Sequence, residues 1–369
     1  MGTRVRSYSK INLGLAIGPV RADGFHGLTT LYQTLDLHDR VTVSARALGA
    51  GAETRISLAT NHPFVPRDGR NTAWKMVERC LARLGMAAEV EIRIEKNLPV
   101  QGGMGAGSAN AAAALLGLER ELGVSLPEVE RLELAAEVGS DVPLFLVGGA
   151  VTGLGRGEMV APIPDFPRTW CVVAVPSLGV STPQAFRDWD ARVAAEAADG
   201  LTSGTKPDRL QELSLAYTSL SSPIGVRAAG KTGDGKPGTS GIIRDLDPDK
   251  KQVELDSNQA DAPNDLAENT LLALVRTGIG NNGLQNDFEE VVFPQYPSLR
   301  ITKRQLMGSD SDSPALYAAL SGSGSALFGL YRSEADAQAA QQRVQASGVK
   351  AFVTTTLPRA EYWARMFAG

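Results

Sequence analysis

From Thr3 to about Val43 apolar and polar positions alternate with a period of two, and the tetrapeptide RADG at Arg21 to Gly24 interrupts the run. That pattern predicts antiparallel strands joined by a turn. Apolar positions then recur at helical spacing from Asn71 to Leu84, and AEVEIRI at Ala88 to Ile94 returns to alternation, so a helix leads into another strand. Next comes LPVQGGMGAGSAN at Leu98 to Asn110, which runs directly into AAAALLGLERELG, a stretch rich in strong helix formers. A strand therefore ends in a glycine loop that opens a helix. A second helix is predicted near Leu126 to Val138, followed by Ser140, Asp141, Val142 and Pro143 and then by a short apolar strand, LFLV.

A proline-bearing link spans Pro162 to Arg168, and WCVVAVPS after it reads as the first strand of a new unit. The chain is accordingly divided into an N-terminal domain over 1–163 and a C-terminal domain over 164–369. Between about Asp190 and Asp265 the composition shifts to Gly, Ser, Asp, Lys and Pro without sustained periodicity. This predicts a flexible insertion holding one short helix at Arg209 to Leu220. Regular patterning resumes with a helix at Leu266 to Val275, then Asn286 to Val292. From Ala315 to Tyr331 an apolar strand follows a second glycine-serine cluster, SGSGSALFGLY. A helix over 333–346 and a strand near Val349 to Thr354 complete the pattern.

A chain of 369 residues is long for one hydrophobic core, which favours two domains with a ligand cleft between them. The net charge of −4 and the lack of a basic run argue against a nucleic-acid partner. A polyanionic ligand must then be held by a local site. Cys80 and Cys171 share no metal-ligand spacing and suggest no disulfide framework, which suits a reducing compartment. The N-terminal MGTRVRSYSKINLGL lacks the pattern of a signal peptide, and no run of 18 apolar residues occurs. The expectation is a cytoplasmic protein with no membrane partner.

The loop Gly102 to Gly107 is suited to phosphate, because small residues let backbone N–H groups approach an anion and the following helix offers its positive end. Ser108 and Asn110 add side-chain donors. A competing motif, GVRAAGKT at Gly225 to Thr232, fits the Walker A pattern letter for letter. That motif works only between a buried strand and a helix, and GDGKPGTSG follows it here, so it reads as a chance match within the insertion. Lys10 and Asn12 lie two apart on the first predicted strand and share a face. They would meet a substrate hydroxyl or a phosphate oxygen, or else Lys10 is an ordinary solvated lysine. Asp141 is either a turn residue or a catalytic carboxylate.

Together the segments SYSKINLGLAI, RADGFHGLTTLYQTLDLHD, PVQGGMGAGSAN, GSDVPLFLVGG, VSTPQAF, NDFE and LSGSGSALF resemble the GHMP kinase superfamily over almost the whole chain, lapsing only in the insertion. The glycine loop marks the superfamily. The DGFH element at Asp23 to His26 and the VSTPQAF segment point to its diphosphocytidyl-methylerythritol branch. The resemblance implies an α+β, two-domain fold, with an N-terminal domain like domain 2 of ribosomal protein S5 and a ferredoxin-like C-terminal domain. It implies an ATP- and Mg2+-dependent small-molecule kinase whose acceptor is a cytidine-diphosphate-linked methylerythritol, acting as a monomer or weak homodimer.

Residue by residue, the resemblance makes Asp141 the base for the attacking hydroxyl and Lys10 the cation at that oxygen and the γ-phosphate. Pro99, Val100, Gln101, Gly102, Gly103, Met104, Gly105, Ala106, Gly107, Ser108, Ala109 and Asn110 would wrap the phosphates, with Asn71 and Lys96 near the adenine. Phe25 and Phe186 would sandwich the cytosine, His26 would hydrogen-bond its edge, and Asn12 and Thr182 would line the rest. Without the resemblance, Phe25 and Phe186 read as core aromatics. The sequence departs from the usual loop at Ala106, where glycine is common, and at Ala109, where a second serine is common. A homoserine- or mevalonate-type kinase, or a non-catalytic GHMP-fold sensor, stands as the alternative.

Overall fold

The computed structural model describes residues 2–49, 51–100, 102–198 and 284–368. The helices expected at Arg209 to Leu220 and Leu266 to Val275, the Walker-like segment Gly225 to Thr232, and Gln101 lie outside the described residues.

The first strands form as the alternation requires. β1 (Thr3–Val20) and β2 (His26–Ala47) pair antiparallel around the predicted turn, with Lys10 opposite Thr34 and Asn12 opposite Tyr32. Next in the chain come β3 (Arg55–Thr60), α1 (Thr72–Leu84) and β4 (Ala88–Glu95), then α2 (Ala106–Leu122) and α3 (Glu128–Val138). A single turn of helix, α4 (Leu144–Val147), precedes β5 (Ala150–Leu154) and β6 (Met159–Pro162). The run LFLV is therefore this helical turn and not the expected strand. Four apolar residues carry no usable periodicity, and Pro143 ahead of them takes the helical backbone angles φ −58° and ψ −35°.

The second unit contains β7 (Trp170–Val175), α5 (Thr182–Ala198), α6 (Glu289–Gln295) and α7 (Pro297–Met307). After these follow β8 (Tyr317–Leu320), β9 (Leu327–Tyr331), α8 (Glu334–Ala346) and β10 (Lys350–Thr355). The glycine-serine cluster lies between β8 and β9: β9 is the strand expected after it, and β8 is a further strand ahead of it. α5 continues through Ala198, and the expected start of the insertion at Asp190 is corrected accordingly. Charged and alanine positions after Asp190 conceal the helix because few of them are buried.

With a last short strand, β11 (Phe367–Ala368), the strands form a seven-stranded sheet, with order β11-β1-β2-β4-β3 and with β5 paired to β2 and β6, and a four-stranded antiparallel sheet of order β10-β7-β9-β8. The latter order is the ferredoxin-like arrangement, and the molecule has the two-domain α+β fold expected of a GHMP kinase. The C-terminal segment crosses back to the first sheet. There α9 (Arg359–Ala364) packs Tyr362 into the N-terminal core, and β11 (Phe367–Ala368) pairs with β1.

α2 lies inside the core, with an unbroken buried run from Ala109 to Glu119. Gly117 is required there, since a Cβ at this position would stand 2.7 Å from Val43 Cγ2. The two sheets meet through an apolar cluster in which Ile11, Leu13, Leu31 and Leu35 pack with Cys171, Val173, Phe328 and Leu330. Burial of this kind holds the two sides of the cleft together as one core. Among the described residues no helix is long and apolar enough to cross a membrane.

Candidate active site

Lys10 sits on β1 and is 2% exposed, so it is not a solvated strand lysine. A buried ammonium needs partners. Its Nζ donates to Asn12 Oδ1 at 2.6 Å, pairs with Asp141 Oδ2 at 3.2 Å, and lies 5.4 Å from the centre of the Tyr32 ring. Asn12 is held in turn: its Nδ2 donates to Thr30 Oγ1 at 2.8 Å, and that hydroxyl donates to the Gly14 carbonyl at 2.8 Å. The shared strand face of Lys10 and Asn12 is thus an actual contact.

Asp141 follows α3 and keeps 31% of its side chain exposed, which leaves it open to a ligand. Its Oδ1 accepts from the Tyr32 hydroxyl at 3.1 Å. Burial, reinforced by the Asp141 charge, holds the Tyr32 phenol well above its usual range, so it remains a donor to the carboxylate. Both carboxylate oxygens are positioned, one by a cation and one by a phenol.

The glycine loop folds as the phosphate reading requires. Gly102, Gly103 and Gly105 have φ of 141°, 79° and 69°, values that side-chain-bearing residues rarely adopt. Gly105 precedes α2 without any side-chain cap, which leaves the first N–H groups of the helix free for an anion. The Lys10 N–H donates to the Met104 carbonyl at 3.1 Å and joins the loop to β1. Beside the loop is a cavity of about 390 Å³ lined by Val65, Pro66, Asn71, Lys96, Pro99, Val100, most of the glycine loop, Ser108 and Asn110.

Several of the expected nucleotide residues have partners within the protein. Asn71 is the N-cap of α1, where its side chain accepts from the Ala73 N–H at 2.9 Å and donates to the Pro66 carbonyl at 2.8 Å. Lys96 Nζ is paired with Asp39, and Asn110 Nδ2 donates to Ser7 Oγ at 2.8 Å. Ala106 and Ala109 pack into apolar surroundings, Ala109 fully buried.

A second cavity, about 640 Å³, brings together Lys10, Asn12, Phe25, His26, Tyr32, Asp141, Arg156, Thr182 and Phe186. Gly103 lines both cavities. Phe25 is 53% exposed, with the Arg156 guanidinium 5.0 Å from its ring centre. Phe186 stacks on His26 at 5.1 Å and meets Phe288 edge-on at 5.0 Å. Both His26 ring nitrogens have partners, Nδ1 the Gly18 carbonyl at 2.9 Å and Nε2 the Asp190 carboxylate at 3.1 Å. The Thr182 and Ser323 hydroxyls are 2.6 Å apart.

Sequence reasoning passed over Tyr32, Asp39, Arg156, Asp190 and Ser323. Counting strand positions back from the RADG turn approaches the pairing of Tyr32 with Asn12, but register shifts after Asn12 and after Ile17 hide it. Asp39 closes the segment RADGFHGLTTLYQTLDLHD that carries the resemblance, but no periodicity assigns it or Asp190 a role, and their partners are remote in sequence.

Comparison with known proteins gives the same architecture. The family model described as GHMP kinases N terminal domain matches residues 71–149, and that described as GHMP kinases C terminal matches residues 266–350. A 4-diphosphocytidyl-2-C-methyl-D-erythritol kinase from Moorella thermoacetica is 30% identical over 95% of this chain and 98% of its own. One from Solibacter usitatus is 32% identical over 89% of this chain and 81% of its own. The match to the Nocardioides sp. kinase of the same name is 40% identical but spans 50% of this chain and 62% of that protein. A crystal structure of a 4-(cytidine 5'-diphospho)-2C-methyl-D-erythritol kinase superposes with a TM-score of 0.61 at 25% identity, covering 95% of this chain and 98% of the other. Homoserine kinase from Cytophaga hutchinsonii, 18% identical with a TM-score of 0.59 over 98% of this chain and 97% of its own, shares the fold. The chain belongs to the 4-diphosphocytidyl-2-C-methyl-D-erythritol kinase family of GHMP kinases.

Proposed function

We propose that this protein transfers the γ-phosphate of ATP to the 2-hydroxyl of 4-diphosphocytidyl-2-C-methyl-D-erythritol, a step of non-mevalonate isoprenoid precursor biosynthesis. The observation that carries the reading is the position of the Lys10–Asp141 pair in the larger cavity, beside Gly103, the residue common to both cavities. A triphosphate wrapped by the glycine loop would present its terminal phosphate at that junction.

In this mechanism the acceptor hydroxyl attacks the γ-phosphorus, the new O–P bond forms as the bond to the β-phosphate oxygen breaks, and ADP leaves. Asp141 takes the hydroxyl proton. Its orientation is fixed by Tyr32 and Lys10, so it needs no rearrangement to act. Lys10 offsets charge on the attacking oxygen and the transferring group, and the free N–H groups at the start of α2 do the same for the phosphates. The transition state is loose, so positioning and charge dominate over early proton transfer.

A Mg2+ ion would enter with the triphosphate. Among the described residues no group of three His, Cys, Asp or Glu side chains is arranged to hold a metal. Ser108, in the first turn of α2, is the residue that would help hold it, and the ion would supply charge neutralisation to the triphosphate.

On the acceptor side, Phe25 and Phe186 offer aromatic surface for the cytosine, and Asn12 and Thr182 polar groups for the remainder. This aromatic end of the cavity favours a nucleobase-bearing acceptor over homoserine or mevalonate. The presence of both Lys10 and Asp141 favours an enzyme over a non-catalytic sensor. The same reading places the protein in the cytoplasm as a monomer or weak homodimer. Incubation with ATP and the cytidine-linked methylerythritol, read by phosphorus NMR, tests it. Turnover of homoserine or mevalonate in preference to that acceptor would reverse it.

A further inference from the structure

Asp39 is 0% exposed and lies on β2 opposite Ser7 of β1. It lines neither cavity, yet its carboxylate is saturated with partners from both flanks of the glycine loop. Oδ1 accepts from the backbone N–H of Asn97 at 2.7 Å and of Leu98 at 2.8 Å, the residues that lead into the loop. Oδ2 accepts from Asn110 Nδ2 at 3.0 Å, on the helix that leads out of it, and from Lys96 Nζ. Lys96 Nζ reaches Asn110 Oδ1 at 3.4 Å, and Asn110 Nδ2 continues to Ser7 Oγ.

From this convergence we propose that Asp39 is a positioning residue for ATP, fixing both ends of the phosphate loop to one carboxylate on the central sheet. It rests on the kinase reading only for the identity of the anion in the loop.

A loop with three glycines at positive φ has many competing conformations, and pinning its ends removes much of that freedom before a ligand arrives. A buried carboxylate can pin them firmly, because bonds from N–H groups to an ionised oxygen are stronger than neutral ones and leaving any of them unmade is costly. Lys96 provides the charge that makes the buried carboxylate tolerable. Its ammonium is thereby engaged with the loop's anchor and not directed at the adenine.

The test is direct binding, independent of the acceptor's identity. Asp39→Asn should raise the Kd for ADP at least about tenfold by calorimetry. CDP binding to the other cavity should stay within about twofold, because the loop's ends do not line it. Adding Lys96→Gln to Asp39→Asn should recover part of the ADP affinity by removing the unpaired ammonium. Equal weakening of ADP and CDP, or unchanged binding of both with only a lower Tm, would reduce Asp39 to a fold residue. A further loss of ADP affinity in the double variant would return Lys96 to the nucleotide. Should Asp39→Asn fail to fold, hydrogen exchange on the ligand-free wild type decides. The Asn97 and Leu98 N–H groups should be protected like the sheet, and exchange at open-loop rates would overturn the proposal.

Discussion

The Ser321 hydroxyl donates to the Gly103 carbonyl at 2.9 Å, so the phosphate loop of the first sheet rests on the glycine-serine turn of the second. The Ala326 N–H donates to the Gly102 carbonyl at 3.0 Å and strengthens the same seam. Each glycine cluster shapes the other, beside the residue common to both cavities, where phosphate transfer is proposed.

Gly103→Ala is therefore expected to abolish measurable ADP binding and lower the Tm. Its Cβ would stand 2.0 Å from the Ser321 carbonyl oxygen, and its φ of +79° costs a side chain about 1–2 kcal/mol even without that clash. Gly107→Ala is the control. Its Cβ meets nothing nearer than Thr72 Oγ1 at 3.5 Å, and alanine favours a helix by about 1 kcal/mol over glycine. An unchanged or raised Tm is expected, and a fall comparable to that of Gly103→Ala would contradict the seam.

Lys10→Ala and Asp141→Asn should each reduce kcat at least about a hundredfold while ADP still binds, since both are placed at the transferring group and not at the nucleotide. The two should differ in stability. Asp141→Asn removes the negative charge facing a buried ammonium and leaves it only neutral amide oxygens, whereas Lys10→Ala leaves a carboxylate with access to water. The larger Tm loss should belong to Asp141→Asn. Turnover near wild type in either variant would remove that residue from the mechanism.

The two acceptor-site phenylalanines should separate in the same way. Phe25 is half exposed and Phe186 is packed between His26 and Phe288. Phe25→Ala is expected to weaken acceptor use by about 1–3 kcal/mol with little change in Tm. Phe186→Ala should weaken acceptor use and stability together. Steady-state KM for the acceptor and thermal melts of both variants check this, and an unchanged acceptor KM for Phe25→Ala would make it a bystander.

Alkaline conditions should destabilise the fold before they damage the site. Burial, aided by the Glu119 charge, pushes the Cys80 thiol from 9.0 to about 12, and burial alone raises Cys171 further. The unfolded chain gives up these protons first, so the stability they contribute is complete below about pH 9 and declines as pH rises above it. Tyr331 and Tyr362, raised by burial, act in the same direction. Thiolate absorbance should appear only with unfolding, and a flat Tm between about pH 9 and 11 would refute this.

Lys231→Ala should leave activity within a few-fold of wild type, because the Walker-like letters are followed in sequence by GDGKPGTSG. Loss of ADP binding would show that the letters have a function.

What was legible in the sequence was what neighbouring residues decide. The glycine loop with its helix, the hairpin around RADG, and Lys10 facing Asn12 depend on contacts within a few residues or on strand alternation. LFLV was misread because four apolar residues fit a helical turn as well as a strand. The role of Asp39 was hidden, although the residue closes one of the segments that carry the resemblance, because its ligands lie between 57 and 71 residues away. The assignment of Asp190 to the insertion concealed its bond to His26, since a helix with few buried positions resembles a loop in composition.

The return of the chain to its first sheet governs the order of events on the ribosome. The Arg6 N–H donates to the Met366 carbonyl, and the Tyr362 hydroxyl reaches the Phe145 carbonyl from within the N-terminal core. Neither partner exists until translation has passed the second sheet. Until then the outer edge of β1 and the socket for Tyr362 stay open, the kind of exposed strand edge that invites pairing with another chain. The sheet that carries Lys10 thus stays incomplete while the second sheet is made, and a nascent chain stalled before α9 would present this edge to chaperones and proteases.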